Sequence, residues 1–367
     1  MLVKNKPQRT IWLDSEKDNC VRIIDQRFLP HEFKICEIQT VEEAFRAIAD
    51  MQVRGAPLIG VTAAFGMYLA TLQASDHDFD SSIKKSAAYL ISARPTAVNL
   101  AWAVNQQLQL ITQTPSPPEK RRLALENALR MAEADVETCR KIGIHGLEII
   151  QNIYAQKKRP VQILTHCNAG WLACVDWGTA TSPIYHAYNS HIPLHIWVDE
   201  TRPRNQGASL TAWELEQQNI PYTLIADNTG GHLMQHNQVD MVIVGTDRTT
   251  KSGDVANKIG TYLKALAAHD NQIPFYAAVP SSSIDWNISD GMSTIEIEER
   301  NADEVKYIRG LTRAGKIEDV LISPLAARAV NYGFDVTPAR LVSGLITERG
   351  TCAATEKGLL SLFPEKK

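Results

Sequence analysis

The chain has 367 residues, 44% of them hydrophobic and 22% charged, with a formal net charge of −3. That length accommodates two domains with substantial cores, and the balanced charge argues against a nucleic-acid partner, which usually leaves a basic face. The six cysteines, at positions 20, 36, 139, 167, 174 and 352, include no CxxC pair and read as free thiols of a reducing compartment.

The N-terminal residues Met1-Leu2-Val3-Lys4-Asn5-Lys6 lack the apolar stretch of a signal peptide, so a cytoplasmic chain with no membrane partner is expected. Short β-favouring runs follow at Thr10 to Leu13 and Val21 to Leu29, ended by Asp14-Ser15 and Pro30. Val41 to Met51 has helical spacing, with Val41, Ala44, Ile48 and Met51 on one face. Gly55-Ala56-Pro57 breaks that pattern and opens a second helix to about Leu72, with Pro57 in its first turn, where a missing N–H costs little. This apolar stretch is shorter than the roughly 20 residues a membrane span needs and reads as a buried packing helix. Ala97 to Ile111 is helical, and Thr114-Pro115-Ser116-Pro117-Pro118 is the clearest breaker. A long helical pattern then runs from Glu119 to about Ile153, with Gly143 and Gly146 as candidate interruptions. The domain boundary is expected near its end, giving a mostly helical N-terminal domain over 1–155 and a second domain over 156–367.

From Val161 the rhythm changes. Apolar runs at Val161 to Leu164, His195 to Val198, Tyr222 to Ala226, Met241 to Val244 and Phe275 to Val279 alternate with helical candidates around Leu172 to His186, Ala208 to Gln218 and Val255 to Ala268. Alternation of this kind implies parallel pairing through right-handed crossovers, hence an α/β fold with an open sheet covered on both faces.

Ligands of such sheets bind beyond the carboxyl ends of the strands. Each apolar run here is followed at once by polar chemistry: Thr165-His166-Cys167-Asn168, Asp199-Glu200-Thr201-Arg202, Asp227-Asn228, Gly245-Thr246-Asp247-Arg248 and Pro280-Ser281-Ser282-Ser283. Neighbouring strands lie about 4.8 Å apart, so adjacent tips share a pocket. Cys167 is either a nucleophile or a small buried hydrophobe. Asp199, Glu200 and Asp227 are helix caps or partners of Arg202 and Arg204, or belong to the site. His166 beside Cys167 raises a metal site, but no further ligands stand at recognisable spacing. Asp247 ends the apolar run Val242-Ile243-Val244-Gly245, so its carboxyl is expected in a low dielectric, where desolvation favours the protonated form that a general acid requires. The alternative is an Asp that caps the following loop.

Two segments suit a phosphate. Arg54-Gly55-Ala56 precedes a helix, and Gly253-Asp254-Val255-Ala256-Asn257-Lys258 is expected to open another and to bring a cation; Arg94 adds a third positive group. No Walker motif, GxGxxG or GxSxG is present, against a P-loop NTPase, a dinucleotide enzyme or an α/β-hydrolase.

Several ordered stretches resemble the S-methyl-5-thioribose-1-phosphate isomerase family: Val53 to Gly60 (VRGAPLIG), Ala93 to Leu100 (ARPTAVNL), Thr165 to Gly170 (THCNAG), Val198 to Leu215 (VDETRPRNQGASLTAWEL), Val242 to Tyr262 (VIVGTDRTTKSGDVANKIGTY) and Phe334 to Gly350. The resemblance runs from about Arg9 to Thr355. It implies an aldose–ketose isomerase of methionine salvage, with Cys167 and Asp247 as the catalytic pair and Arg54, Gly55, Ala56, Arg94, Gln206, Asn257 and Lys258 as substrate-binding positions. It also implies a smaller, largely helical α+β domain followed by a Rossmann-like domain with a parallel sheet, a homodimer, and neither metal nor other cofactor. Thr246 and Thr249 stand where the family more usually has Ala and Ile, and Trp171 where a small residue is frequent. Related readings are an isomerase of 5-deoxyribose 1-phosphate or ribose 1,5-bisphosphate, and a non-catalytic regulatory subunit of the same fold.

Overall fold

A computed structural model describes residues 1–94 and 98–367; Pro95, Thr96 and Ala97, part of the Ala93 to Leu100 motif, lie outside the described residues. The chain forms two compact units, one of Met1–Phe28, Phe33–Lys141 and Gly170–Gly178, the other of Leu29–Glu32, Ile142–Ala169 and Thr179–Lys367. The sequence-based boundary at 155/156 stands apart from this division. One helix, Pro117–Lys157, belongs to both units and changes from one to the other at Lys141/Ile142. At 41 residues it is about 60 Å long, enough to serve two cores.

In the first unit, strands β1 (Ile11–Leu13), β2 (Val21–Ile24) and β3 (Ile35–Ile38) form an antiparallel sheet in sequence order. Helix α1 (Val41–Ala49) buries Val41, Ala44, Ala47 and Ile48, and its N-cap Thr40 accepts from the Glu43 N–H. Helix α2 (Ala56–Gln73) is apolar all round, as a central core helix must be. Its length and composition would also suit a membrane span, but 78% of it is buried inside the protein. Helices α3 (Phe79–Ser92) and α4 (Val98–Gln113) pack on it, α4 so closely that a Cβ on Gly60 would stand 3.1 Å from the Asn99 carbonyl.

Helix α5 (Pro117–Lys157) runs without interruption through Gly143 and Gly146. These glycines serve close packing rather than breaking: an added Cβ would meet Ser182 Oγ at 2.2 Å and Pro183 Cγ at 2.3 Å.

The second unit is built on a seven-stranded sheet. In chain order its elements are β4 (Val161–Thr165), α6 (Ser182–Asn189), β5 (Leu194–Asp199), α7 (Ala212–Gln217), β6 (Tyr222–Ile225), α8 (Thr229–Gln235) and β7 (Met241–Val244). There follow β8 (Arg248–Thr250), β9 (Val255–Lys258), α9 (Thr261–Asp270), β10 (Phe275–Ala278), β11 (Ile284–Asp285), the hairpin β12 (Tyr307–Leu311) and β13 (Ile317–Leu321), β14 (Phe334–Thr337), β15 (Gly344–Thr347), β16 (Gly350–Cys352) and α10 (Glu356–Leu362). The large sheet has the order β16-β15-β10-β7-β4-β5-β6, with all pairs parallel except β15 with β16. All four residues of β7 are buried, because helices cover both faces of a parallel sheet. The expected α/β architecture with a mostly parallel sheet is therefore present.

Two expected helices differ. Val255 to Lys258 is a strand, not the opening of a helix: Val255 and Ala256 are buried and β9 pairs with β8 and β14 in a separate four-stranded sheet. The helix begins only at Thr261, after Gly260 turns the chain with φ +102°. In the Leu172 to His186 stretch, a short 3₁₀ turn at Trp171–Ala173 precedes α6, which starts at Ser182 with Pro183 in its first turn. Trp177 and Gly178, both at positive φ, break the pattern between them.

Candidate active site at the reversal of strand order

From β4 the chain builds the sheet in one direction through β5 and β6, then returns to place β7 on the other side of β4. Strand order thus reverses between β4 and β7, the position at which crossovers on opposite faces open a crevice beyond the strand ends. Cys167 follows β4 and Asp247 follows β7. The two strands are tied by Ile163↔Met241 and Leu164↔Val242 pairing and by the Thr165 hydroxyl, which donates to the Ile243 carbonyl at 2.8 Å. Gly245 lets their tips close up, since a Cβ there would lie 2.5 Å from the Ala169 Cβ.

Cys167 is buried and has φ +69°, a left-handed backbone that costs a non-glycine residue about 1–3 kcal/mol. Its N–H donates to Thr201 Oγ1 at 2.8 Å and its carbonyl accepts from Thr211 Oγ1 at 2.7 Å. Thr201, at the tip of β5, is itself left-handed at φ +66°. Asp227, beyond β6, holds that turn by accepting the N–H groups of Thr201 and Arg202, each at 2.7 Å.

Asp247 is half-buried rather than enclosed. It stands three residues past β7, where the chain has left the sheet, and its N–H donates to the Ala256 carbonyl of β9 at 2.9 Å. This pairing sets Asp247 beside the strand that carries Asn257 and Lys258. Asn257 is buried and donates through Nδ2 to Thr261 Oγ1. The Lys258 ammonium donates to the Gly333 carbonyl at 2.9 Å and lies 4.6 Å from the centre of the Phe334 ring.

Gln206, on the loop after β5, is 5% exposed and its Oε1 has no hydrogen-bond partner among the described residues. A buried acceptor left in that state is costly unless a ligand supplies the donor. Gly207 beside it allows the loop to fold back, because a Cβ there would meet the Asp199 carbonyl at 1.7 Å.

His166 ties three tips together. Its Nδ1 lies 2.9 Å from Asp199 Oδ2, and its Nε2 donates to the Ile259 carbonyl at 2.8 Å. His166, Asp199 and Asp227 present ligand atoms within 4.8 Å of one another, the grouping a metal would need. The buried Lys264 ammonium, 3.2 Å from Asp199 Oδ2, already supplies positive charge there and also donates to the Asp227 carbonyl. Burial raises the Glu200 carboxyl, as does repulsion from Asp227, and burial likewise raises Asp335, which accepts from the Gly260 and Tyr262 N–H groups.

Cys167, Gln206, Asp247, Asn257 and Lys258 all belong to the second unit, whereas Arg54, Gly55, Ala56 and Arg94 belong to the first. Gly55 is the N-cap of α2 with φ +93°, and a Cβ there would lie 2.5 Å from Ala173 Cβ. Arg54, Ala56 and Arg94 are half-buried. Sequence reasoning named Thr201 only within a polar tip, with no role, and left out Thr211 and Lys264. The two threonines lie inside the Val198 to Leu215 motif, but a hydroxyl alone carries no spacing signal, and Lys264 is an unremarked helix lysine.

The profile of the Initiation factor 2 subunit family matches residues 52–354. A methylthioribose-1-phosphate isomerase of Desulfosudis oleivorans is 56% identical over 98% of each chain. One of Paramagnetospirillum magneticum is 54% identical over 100% of each. Among solved structures, the 5-methylthioribose 1-phosphate isomerase of Pyrococcus horikoshii is 39% identical, with a TM-score of 0.85 over 98% of this chain and 97% of that one. The translation initiation factor eIF-2B subunit delta of A. fulgidus is 37% identical, with a TM-score of 0.81 over 98% and 100%.

Proposed function

Because the chain belongs to the Initiation factor 2 subunit family and, within it, to the methylthioribose-1-phosphate isomerases, we infer that it converts 5-methylthioribose 1-phosphate into 5-methylthioribulose 1-phosphate in methionine salvage. The main support within the fold is the placement of Cys167 and Asp247 after the two strands that flank the reversal of strand order.

Phosphate on carbon 1 blocks a free aldehyde, so the sugar ring must open before isomerisation. Asp247 donates a proton to the ring oxygen, the bond from that oxygen to carbon 1 breaks, and the phosphate-ester oxygen shares the charge left on carbon 1. Hydrogen then moves from carbon 2 to carbon 1. The proton of the carbon 2 hydroxyl returns to Asp247, which restores the acid and leaves the ketone. Cys167 is either the base that takes the carbon 2 proton and returns it to carbon 1, or a contact that stabilises a hydride in flight. The redox change is internal, with carbon 1 reduced and carbon 2 oxidised, so no external electron carrier is required.

Gln206 Oε1 suits a sugar hydroxyl, and Arg54, Arg94 and Lys258 suit the phosphate, with Gly55, Ala56 and Asn257 completing the binding positions that the resemblance implies. A cytoplasmic homodimer is part of the same reading. The exposed apolar side chains of Leu311, Ile322, Leu325, Val330 and Tyr332, on the segment that carries the hairpin, support the dimer.

Turnover measured side by side on the 5-methylthio, 5-deoxy and 5-phospho sugar 1-phosphates tests the substrate. The methylthio sugar should be fastest, and a faster 5-deoxy or 5-phospho sugar would replace it. Cys167→Ser and Asp247→Asn should each cut kcat by about 10²–10⁴-fold at unchanged thermal stability. Near-normal turnover in either variant removes that residue from the mechanism. The likeness to the A. fulgidus chain favours a regulatory subunit as the second reading; binding of the sugar phosphate with no turnover would establish it.

A further inference from the structure

We propose that Thr201 and Thr211 are positioning residues that together lock the Cys167 main chain in its left-handed conformation and so aim the thiol for the reaction. The proposal rests on the reading that Cys167 takes part in the chemistry.

Two features set Cys167 apart from a cysteine that merely fills a core. Its φ of +69° is a conformation that a residue with a Cβ rarely adopts. Both of its amide groups have also left the sheet ladder, and each is met by a threonine hydroxyl. Thr201 and Thr211 are 0% and 1% exposed, so no water replaces these bonds.

The direction of every bond is fixed by its acceptor. The Asp199 carbonyl only accepts, so the Thr201 hydroxyl hydrogen points there, at 3.1 Å, and its lone pair takes the Cys167 N–H. The Thr211 hydrogen goes to the Cys167 carbonyl, and its lone pair takes the Asn168 Nδ2 donor at 3.1 Å. Neither hydroxyl is free to rotate away. Each is also braced from behind. Asp227 holds the Thr201 N–H, while Glu214 holds Asn168 at 2.9 Å and is itself held by the Tyr185 hydroxyl at 2.8 Å. A left-handed residue gripped at its N–H and carbonyl has a fixed Cα–Cβ direction, from which its thiol has only a few staggered positions to choose, and a displacement of about 1 Å at a reacting group costs on the order of 100-fold in rate.

The test compares Thr201→Val and Thr211→Val, near-isosteric changes that delete each hydroxyl, with Thr201→Ser and Thr211→Ser, which keep it. Steady-state kinetics on 5-methylthioribose 1-phosphate and thermal melting are read on the full chain, with Cys167→Ser as reference. The valine variants should lose about 10–100-fold in kcat with KM changed less than about threefold, and the serine variants should recover kcat to within about threefold. Valine variants with wild-type kcat, or serine variants as impaired as the valines, overturn the proposal. So does loss of folding in both valine variants, which would make the hydroxyls structural. Near-normal turnover by Cys167→Ser would instead withdraw the reading of the site itself, whatever the threonines do.

Discussion

The Asp135 carboxyl faces inward beside Cys139 and Cys174, and burial pushes it up to about 7 even though it accepts the Val175 N–H at 2.7 Å. An ordinary Asp titrates near 4, so the folded chain holds an extra proton here between about pH 4 and 7. The resulting stability is fully present at low pH and is lost as pH rises through 7. Asp135→Asn keeps an acceptor for Val175 but cannot ionise. Its melting temperature should therefore fall less between pH 5 and 8 than that of the wild type, and identical slopes would show that Asp135 does not titrate in this range. At the same scale, Cys167 and Asp247 drew notice in the sequence as reactive groups just past apolar runs, each with a bland alternative, and their pairing came from the family resemblance. Their environments were not: Asp247 proves half-buried, and the bond that sets its place comes from Ala256, a residue with no side-chain signal.

Glycine was misread at the level of the element. Gly143 and Gly146 stand as breakers by propensity, yet they let α5 pass against Ser182, His186 and Pro183. Gly→Ala on an exposed helix face is worth about 1 kcal/mol of added stability. Gly146→Ala should have the opposite sign, because its Cβ would meet Pro183 at 2.3 Å, and such overpacking costs about 1–3 kcal/mol. A lowered melting temperature checks this; a raised one would mean that Pro183 moves aside freely. The β9 segment failed for a related reason. Val255 to Lys258 continues into α9 by composition, and its pairing with nearby Arg248 to Thr250 on one side is completed on the other by Phe334 to Thr337, far along the chain. Long-range pairing leaves no mark on a local window.

Over the whole molecule, the parallel sheet was legible because buried strands write continuous apolar runs, and the segment from 286 to 332 was not. It carries Leu311, Ile322, Leu325, Val330 and Tyr332, each more than half exposed. Arg300 braces the segment internally through Glu298 and Glu304, and Arg204 ties it to the rest of the chain through Glu304; burial works to raise the Glu304 carboxyl, but the Arg300 and Arg204 hydrogen bonds outweigh it and hold it at about 2. Exposed apolar side chains on an anchored segment fit a second copy of the chain. Leu325→Glu with Ile322→Lys should convert a dimer to a monomer in sedimentation at micromolar concentration, and an unchanged mass would move the contact elsewhere.

The reversal of strand order also gives the site a history. Asp247 is synthesised about 80 residues after Cys167, an interval of roughly 4–16 s at common translation rates. Within that interval β5 and then β6 are added on one side of β4, whose other edge stays open until β7 arrives to close it. A nascent chain stalled in this interval therefore lacks Asp247 and keeps the β4 edge open, and β7 passes the open edge on to itself until β10 pairs with it.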